Sequence, residues 1–226
     1  MNYSYSSIKQ YQNCPKAFLH RYVKRDVRED KTTQRSFGDD AHKSLQAYSD
    51  FGTAPIAGTD FCKGIIDRTR HAPLRFAEKK MGLSSALTPV EFLSSTAWLR
   101  GVVDYMAIKG ESGLLFDWKF GKRRPDKLQL RLMALLVFHN FPDVQAIRAA
   151  LVWETDRALD LIELTRNDLP ALARECIDLT NTIEVSVQHN NWPLTPSGLC
   201  GWCPVDKTRC PYGRDVRTVE DTDDEL

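Results

Sequence analysis

Apolar residues recur at helical spacing near the two ends of the chain and at strand-like spacing through its middle. Ser4, Ser6 and Ser7 can cap a helix beginning near Ile8; Cys14-Pro15 interrupts it, and AFLHRYV resumes the helical spacing beyond. A second helix is predicted from about Phe37 to Tyr48, where Ala41, Leu45 and Tyr48 fall at i, i+4 and i+7, and a third from about Asp60 to Glu78. LTPVEFLSS, WLRGVVDYMAI and GLLFDWKF are rich in β-branched and aromatic residues and read as strands, with KGESG as a hairpin loop between the last two. From Pro125, LQLRLMALLVFHNF is too long an apolar run for a typical strand and reads as a buried helix. Strands follow near VQAIRAALVWE and ALDLIELT, then a long helix from about Asn167 to His189. The expected architecture is an α/β domain over 1–216: a helical N-terminal part (1–90), a core with a central mixed sheet crossed by a helix (91–166), and a helix with a cysteine-bearing segment (167–216). Residues 217–226 form an acidic tail that reads as disordered.

At 226 residues the chain has room for one sizeable core. A hydrophobic fraction of 42% and a charged fraction of 27% are ordinary for a soluble globular protein. No apolar run approaches the roughly 18 residues needed to cross a bilayer. The N-terminus shows neither an apolar signal core nor an Arg-rich transit pattern, so a cytoplasmic location is expected. The net charge of +1 conceals an uneven distribution. Lys9, Lys16, Arg21, Lys24, Arg25 and Arg28 make the first 30 residues basic, and Lys119, Lys122, Arg123, Arg124, Lys127 and Arg131 form a second basic stretch. Either can meet phosphates or simply be a solvated face.

The chemistry concentrates in GVVDYMAIKGESGLLFDWKF. Alternate side chains of a strand share a face, so Asp117 and Lys119 point one way while Phe116, Trp118 and Phe120 turn to the apolar side. If Ala107 pairs with Leu114 across the hairpin, Asp104 falls opposite Asp117, and two carboxylates face one another with a lysine alongside. Such a pair repels unless a cation lies between, and Mg²⁺ or Mn²⁺ with oxygen ligands fits. That set matches phosphodiester hydrolysis, with Lys119 positioning the nucleophile or neutralising charge on the phosphate.

Six cysteines without a secretory signal point to metal rather than disulfides. Cys200-x2-Cys203-x6-Cys210 has metal-ligand spacing, and three thiolates leave a tetrahedral or cubane site one donor short. Cys62 and Cys176 lie in helical-looking stretches and read as plain core or surface residues.

The spaced Asp104 and Asp117-Trp118-Lys119 resemble the PD-(D/E)XK nuclease superfamily, with Val103 where the name has proline. Phe37-Gly38-Asp39-Asp40-Ala41-His42 resembles the G-x-x-x-H element of its RecB-like branch, and Gln129 that branch's Q-x-x-x-Y element, with Met133 at the tyrosine position. SSIKQYQNCPKAF resembles the N-terminal S-x-x-x-x-x-x-C-P segment of iron-sulfur RecB-like nucleases, among them AddB-type enzymes of recombinational repair and CRISPR-adaptation nucleases. This resemblance implies a restriction-endonuclease-like core and catalysis by Asp104, Asp117, Lys119 and Gln129. It implies Mg²⁺ or Mn²⁺ on His42, Asp104, Asp117 and the Trp118 carbonyl, and a 4Fe-4S cluster on Cys14, Cys200, Cys203 and Cys210. Four thiolates can equally hold zinc. Closing the chain between positions 14 and 200 is worth roughly 4–5 kcal/mol in a chain-entropy picture.

DNA is then the expected partner, as single strands or ends, with Lys122, Arg123, Arg124 and Lys127 as phosphate contacts. Exonuclease action belongs to the resemblance alone. No G-x-x-x-x-G-K-[ST] motif is present, so duplex unwinding would need a helicase, recombination or CRISPR-adaptation partner. A second reading, a non-cleaving subunit that binds DNA ends, keeps the fold and the cysteines without the chemistry.

Overall fold

The computed structural model describes residues 1–27 and 33–214; Arg28 and the acidic tail lie outside the described residues. In chain order the elements are α1 (Tyr5–Asn13), α2 (Pro15–Phe18), a π-helical turn (Leu19–Lys24), α3 (Thr33–Phe51), α4 (Asp60–Thr69), β1 (Leu74–Leu83), β2 (Pro89–Val90), β3 (Leu99–Lys109), β4 (Ser112–Lys119), α5 (Lys127–Asn140), β5 (Ala146–Trp153), β6 (Ala158–Thr165) and α6 (Leu169–His189). Short 3₁₀ turns span Arg166–Asp168 and Cys200–Trp202. The chain divides into two compact units, Met1–Tyr5 with Thr32–Asp178, and Ser6–Lys31 with Leu179–Leu226.

The first unit is an α/β domain on a six-stranded mixed sheet ordered β2-β1-β3-β4-β5-β6. All neighbours run antiparallel except β4 and β5. A parallel pair needs a crossover, and α5 supplies it. Gly101 in β3 admits that helix, because a Cβ there would meet Leu136 Cδ1 at 2.4 Å. On the opposite face Tyr105, Phe116 and Trp118 join Leu45 and Tyr48 of α3 and Cys62, Ile65 and Ile66 of α4 in one buried cluster. Phe116 and Trp118 stack with ring centroids 5.9 Å apart. Such a pair adds about 0.5–1.5 kcal/mol beyond the area it buries.

Two sequence expectations are corrected. The third helix stops at Thr69, not Glu78, and the chain leaves it as β1, so residues 1–90 are not wholly helical. Ala72 N–H turns back to Thr69 O at 3.0 Å, and Pro73 lacks the N–H that a continuing helix requires. The strand expected over LTPVEFLSS shrinks to Pro89–Val90, because Ser94 N–H bonds Glu91 O at 2.9 Å and Ala97 N–H bonds Ser94 O at 3.2 Å, folding the rest into turns.

In the second unit, extended Cys14 (φ −165°, ψ 108°) separates α1 from α2, with Pro15 opening α2 where its missing N–H costs nothing. The Tyr11 hydroxyl meets Ser186 Oγ at 2.6 Å, and Phe18 stacks on Trp192 at 6.1 Å. Buried His20 pairs through Nδ1 with Asp26 at 3.0 Å.

Candidate active site

The hairpin register matches the sequence expectation: Ala107 pairs with Leu114, and the ladder runs from Lys109↔Ser112 to Tyr105↔Phe116. One step further, where Asp104 and Asp117 would pair, the ladder ends. Asp104 Oδ2 there accepts the Trp118 N–H at 2.7 Å. The ladder between β1 and β3 breaks at the same level, passing from Ala77↔Tyr105 to Lys79↔Val103. The skipped residue is Glu78, whose φ of +50° is strained for a residue with a Cβ. Both interruptions of β3 thus fall at Asp104, and the freed side chains gather there.

His42 of α3 completes a group. Its Nδ1 lies 3.4 Å from Asp104 Oδ2 and 3.4 Å from Glu78 Oε1. Among the described residues, His42, Glu78 and Asp104 are the group whose ligand atoms all fall within 4.8 Å of one another. Burial alone would lower the His42 pKa, but the hydrogen bonds and charges of Asp104 and Glu78 prevail and raise it to about 10. His42, Glu78, Asp39, Lys43 and Gln46 line an open cleft of about 340 Å³.

Asp117 lies beside this group, almost wholly buried. Burial, and then the charge of Asp104, raise its pKa to about 6 against the pull of Lys119 and His42. Gln129 of α5 bridges the pair: its amide N–H donates to Asp117 Oδ1 while its Oε1 accepts from Lys119 Nζ at 2.9 Å. Lys119 Nζ is 2.5 Å from Asp117 Oδ2, a charge-assisted contact that pulls the Asp117 pKa down against its burial. A buried carboxylate next to an imidazole and two more carboxylates is a donor set suited to a hard divalent cation.

The structure brings together His42, Asp104, Asp117, Lys119 and Gln129. Glu78 escaped the sequence reading because its segment reads as helix, and its signal, a lone acid in AEKK, is weak. Of the basic residues proposed for phosphate contact, Lys122, Arg123, Arg124 and Lys127 are all exposed. Arg123 is engaged by Asp160, which accepts from its Nε at 3.0 Å and also from Trp153 Nε1 at 2.6 Å. Arg123 therefore anchors the loop, and Lys122 and Arg124 stand out from it.

In the second unit Cys14, Cys200 and Cys203 line one cavity of about 220 Å³. The Cys203 thiol pKa is raised by burial and by Cys14, Cys210 and Cys200, against a hydrogen bond from the Val205 backbone. Among the described residues no three of these four sulfurs come within 4.8 Å of one another. Cys62 and Cys176 are fully buried and stand apart as core residues.

The sequence profile of the PD-(D/E)XK nuclease superfamily matches residues 2–211, and the chain belongs to that superfamily. Its class of chemistry is therefore phosphodiester hydrolysis. A solved structure from Eubacterium rectale named "putative exonuclease" is similar over 100% of this chain and 94% of its own, with a TM-score of 0.54 and 12% identity, a likeness of fold. A structure named SSO0001 aligns over 89% of this chain and 82% of its own, with a TM-score of 0.40 and 9% identity. Among curated protein sequences none matches the chain. No helix of the described residues is long and apolar enough to cross a membrane.

Proposed function

We propose that the protein is a Mg²⁺- or Mn²⁺-dependent deoxyribonuclease of the RecB-like branch, acting as an exonuclease on single strands or DNA ends. The observation that carries this reading is the meeting of His42, Glu78 and Asp104 beside buried Asp117, with Lys119 in contact with Asp117. His42, Asp104, Asp117 and the Trp118 carbonyl hold the metal, joined by Glu78. When bound, the ion supplies an acidified water and offsets charge on the phosphate. The side chains do the rest. The Trp118 N–H fixes the Asp104 carboxylate, and Gln129 holds Lys119 and Asp117 in one arrangement. The Lys119 ammonium, once the phosphate arrives, stabilises negative charge that grows as the bond breaks. Lys122, Arg124 and Lys127 meet flanking phosphates, giving salt-dependent affinity.

Within the same proposal, Cys14, Cys200, Cys203 and Cys210 hold a structural 4Fe-4S cluster, and both units serve one nuclease domain. Zinc, whose tetrahedral thiolates sit about 3.8 Å apart, is the alternative occupant. Helicase, recombination or CRISPR-adaptation partners and a cytoplasmic site of action belong to this reading.

The test is incubation of anaerobically purified protein with end-labelled single- and double-stranded DNA, with and without Mn²⁺. Mn²⁺-dependent shortening from ends supports the proposal. Tight end binding without cleavage under every metal condition establishes instead the non-cleaving end-binding subunit.

A further inference from the structure

An aromatic row runs from His42 to the surface. The imidazole packs edge-on against Phe120, with ring centroids 5.6 Å apart and planes at 73°, and Phe120 meets Phe37 in the same way at 5.8 Å and 85°. Phe120 follows Lys119 directly and is partly buried against the cluster that β3 and β4 share with α3 and α4. Phe37, on the same helix as His42, is 40% exposed. Its ring is nonetheless pinned: besides Phe120 it lies so close to Gly58 that a Cβ there would meet Phe37 Cζ at 3.3 Å. Just beyond Phe120 the chain enters the loop bearing exposed Lys122 and Arg124, which Arg123 fixes through Asp160. Single exposed phenylalanines are ordinary on protein surfaces. This one is held by two neighbours, stands two ring steps from a candidate metal ligand, and adjoins a segment rich in cations.

We infer that Phe37, backed by Phe120, is a stacking platform for an unpaired base of the strand being cleaved. The inference rests on the active-site reading proposed above. Cations of the loop suit phosphates, and an aromatic ring beside them suits a base; together they make the footprint of a single strand. Every base has a π-face, so such a contact is tolerant of sequence, whereas an internal base of a duplex already has both faces covered. A ring pinned in advance loses little freedom when a base settles on it. Because that base is not the reacting group, its contact is the same in the ground and transition states and belongs to KM rather than kcat. A Phe37 that merely closed the apolar cluster would act through stability, alike for every substrate.

The test uses anaerobically purified full-length protein with Mn²⁺ and end-labelled single-stranded oligonucleotides, intact or with one abasic residue at successive positions from the end. Phe37→Leu keeps an apolar side chain against Phe120 and Gly58 but has no π-face. It is expected to raise KM for the intact strand about tenfold, with kcat within about twofold of wild type and an unchanged melting midpoint. Phe37→Trp should restore a KM at or below that of wild type. In the wild type an abasic residue at one position should raise KM by a similar factor, and Phe37→Leu should be indifferent to it, because ring and base are two halves of one contact. The absence of any position-specific abasic penalty in the wild type overturns the inference without recourse to a variant. Wild-type KM in Phe37→Leu, an abasic penalty that persists in it, or a KM rise matched by a fall in melting midpoint would do so as well. Lys119→Ala, run in parallel, separates the two levels. If it cleaves at the wild-type rate, the active-site reading fails and the platform with it; if it is inactive while Phe37→Leu is unimpaired, only the platform fails.

Discussion

Asp117 is a buried acid and Cys203 a half-buried one, and both are held above their ordinary pKa, first by burial and then by like neighbours: Asp104 in one case, Cys14, Cys210 and Cys200 in the other. What holds them differs. Asp117 lies on β4, paired in register with Leu151, and its side chain is gripped by Gln129 and Lys119. Cys203 follows a three-residue 3₁₀ turn in a stretch of proline, glycine and short turns. A site built on a sheet takes its geometry from the backbone ladder before any ion arrives, while a site built on turns must take much of its geometry from the ligand. The two centres should therefore respond to opposite perturbations.

The largest effect expected is on cleavage. Lys119→Ala should lower it by about a thousandfold or more, since the ammonium acts on charge present only in the transition state. Asp117→Asn should do the same while leaving the fold at least as stable, because it removes a buried negative charge facing Asp104. Neither should change iron content. Circular dichroism, iron assay and end-labelled DNA read all three, and loss of iron in either variant would break the separation of the two centres.

Next come the cysteines. Anaerobically purified protein should be brown, with about four irons per chain. Cys14→Ala, Cys200→Ala, Cys203→Ala and Cys210→Ala should each bleach it, with a loss approaching the roughly 4–5 kcal/mol of a long-loop cross-link. Cys62→Ala and Cys176→Ala should keep the iron. Both are fully buried, so each should still cost on the order of 1 kcal/mol as a small cavity. Stoichiometric zinc in place of iron would retain the clasp and discard the cluster; a Cys14→Ala protein with full metal content would discard the clasp.

These two centres were unequally legible in the sequence. Period-two alternation in LLFDWK fixed which side chains share a face, and the Ala107–Leu114 register followed from the hairpin length. The buried helix α5 was legible through its length, whereas the cysteine spacing marked a candidate metal site whose described sulfurs do not gather three together within 4.8 Å. Glu78 was not. Its segment follows a true helix, carries four charges in the nine residues from Leu74 to Gly82, and is broken by a left-handed residue that no alternation pattern anticipates. The end of the β3–β4 ladder at Asp104 was equally invisible, because periodicity reports which face a residue takes and not where two strands part.

Glu78→Gln tests that missed residue. It keeps shape and removes one anionic donor, so the Mn²⁺ concentration for half-maximal cleavage should rise about tenfold or more, with little change in rate at saturating metal. An unchanged metal requirement would reduce Glu78 to a hydrogen-bond partner of His42.

The last effect expected is a pH slope, and it is the most specific to the sheet site. In the metal-free protein Asp104 and Glu78 keep His42 protonated well above its ordinary 6.5, to about 10. A metal needs the neutral imidazole, so binding must expel that proton, and apparent Mn²⁺ affinity should rise with pH up to about 10, by up to about tenfold per unit. Stability of the metal-free protein should move the other way. A folded pKa above the unfolded one gives a contribution fully present below pH 6.5 that is lost as pH rises through about 10. Asp117 has the same sign at lower pH: with a folded pKa of about 6 against 3.8, its ionisation removes stability as pH climbs between those values. Metal titrations by calorimetry in buffers of different ionisation enthalpy would count the proton released at pH 8. His42→Ala should weaken binding, flatten the affinity slope and abolish that release. Full proton release in the His42→Ala protein would place the displaced proton elsewhere and remove His42 from the ligand set.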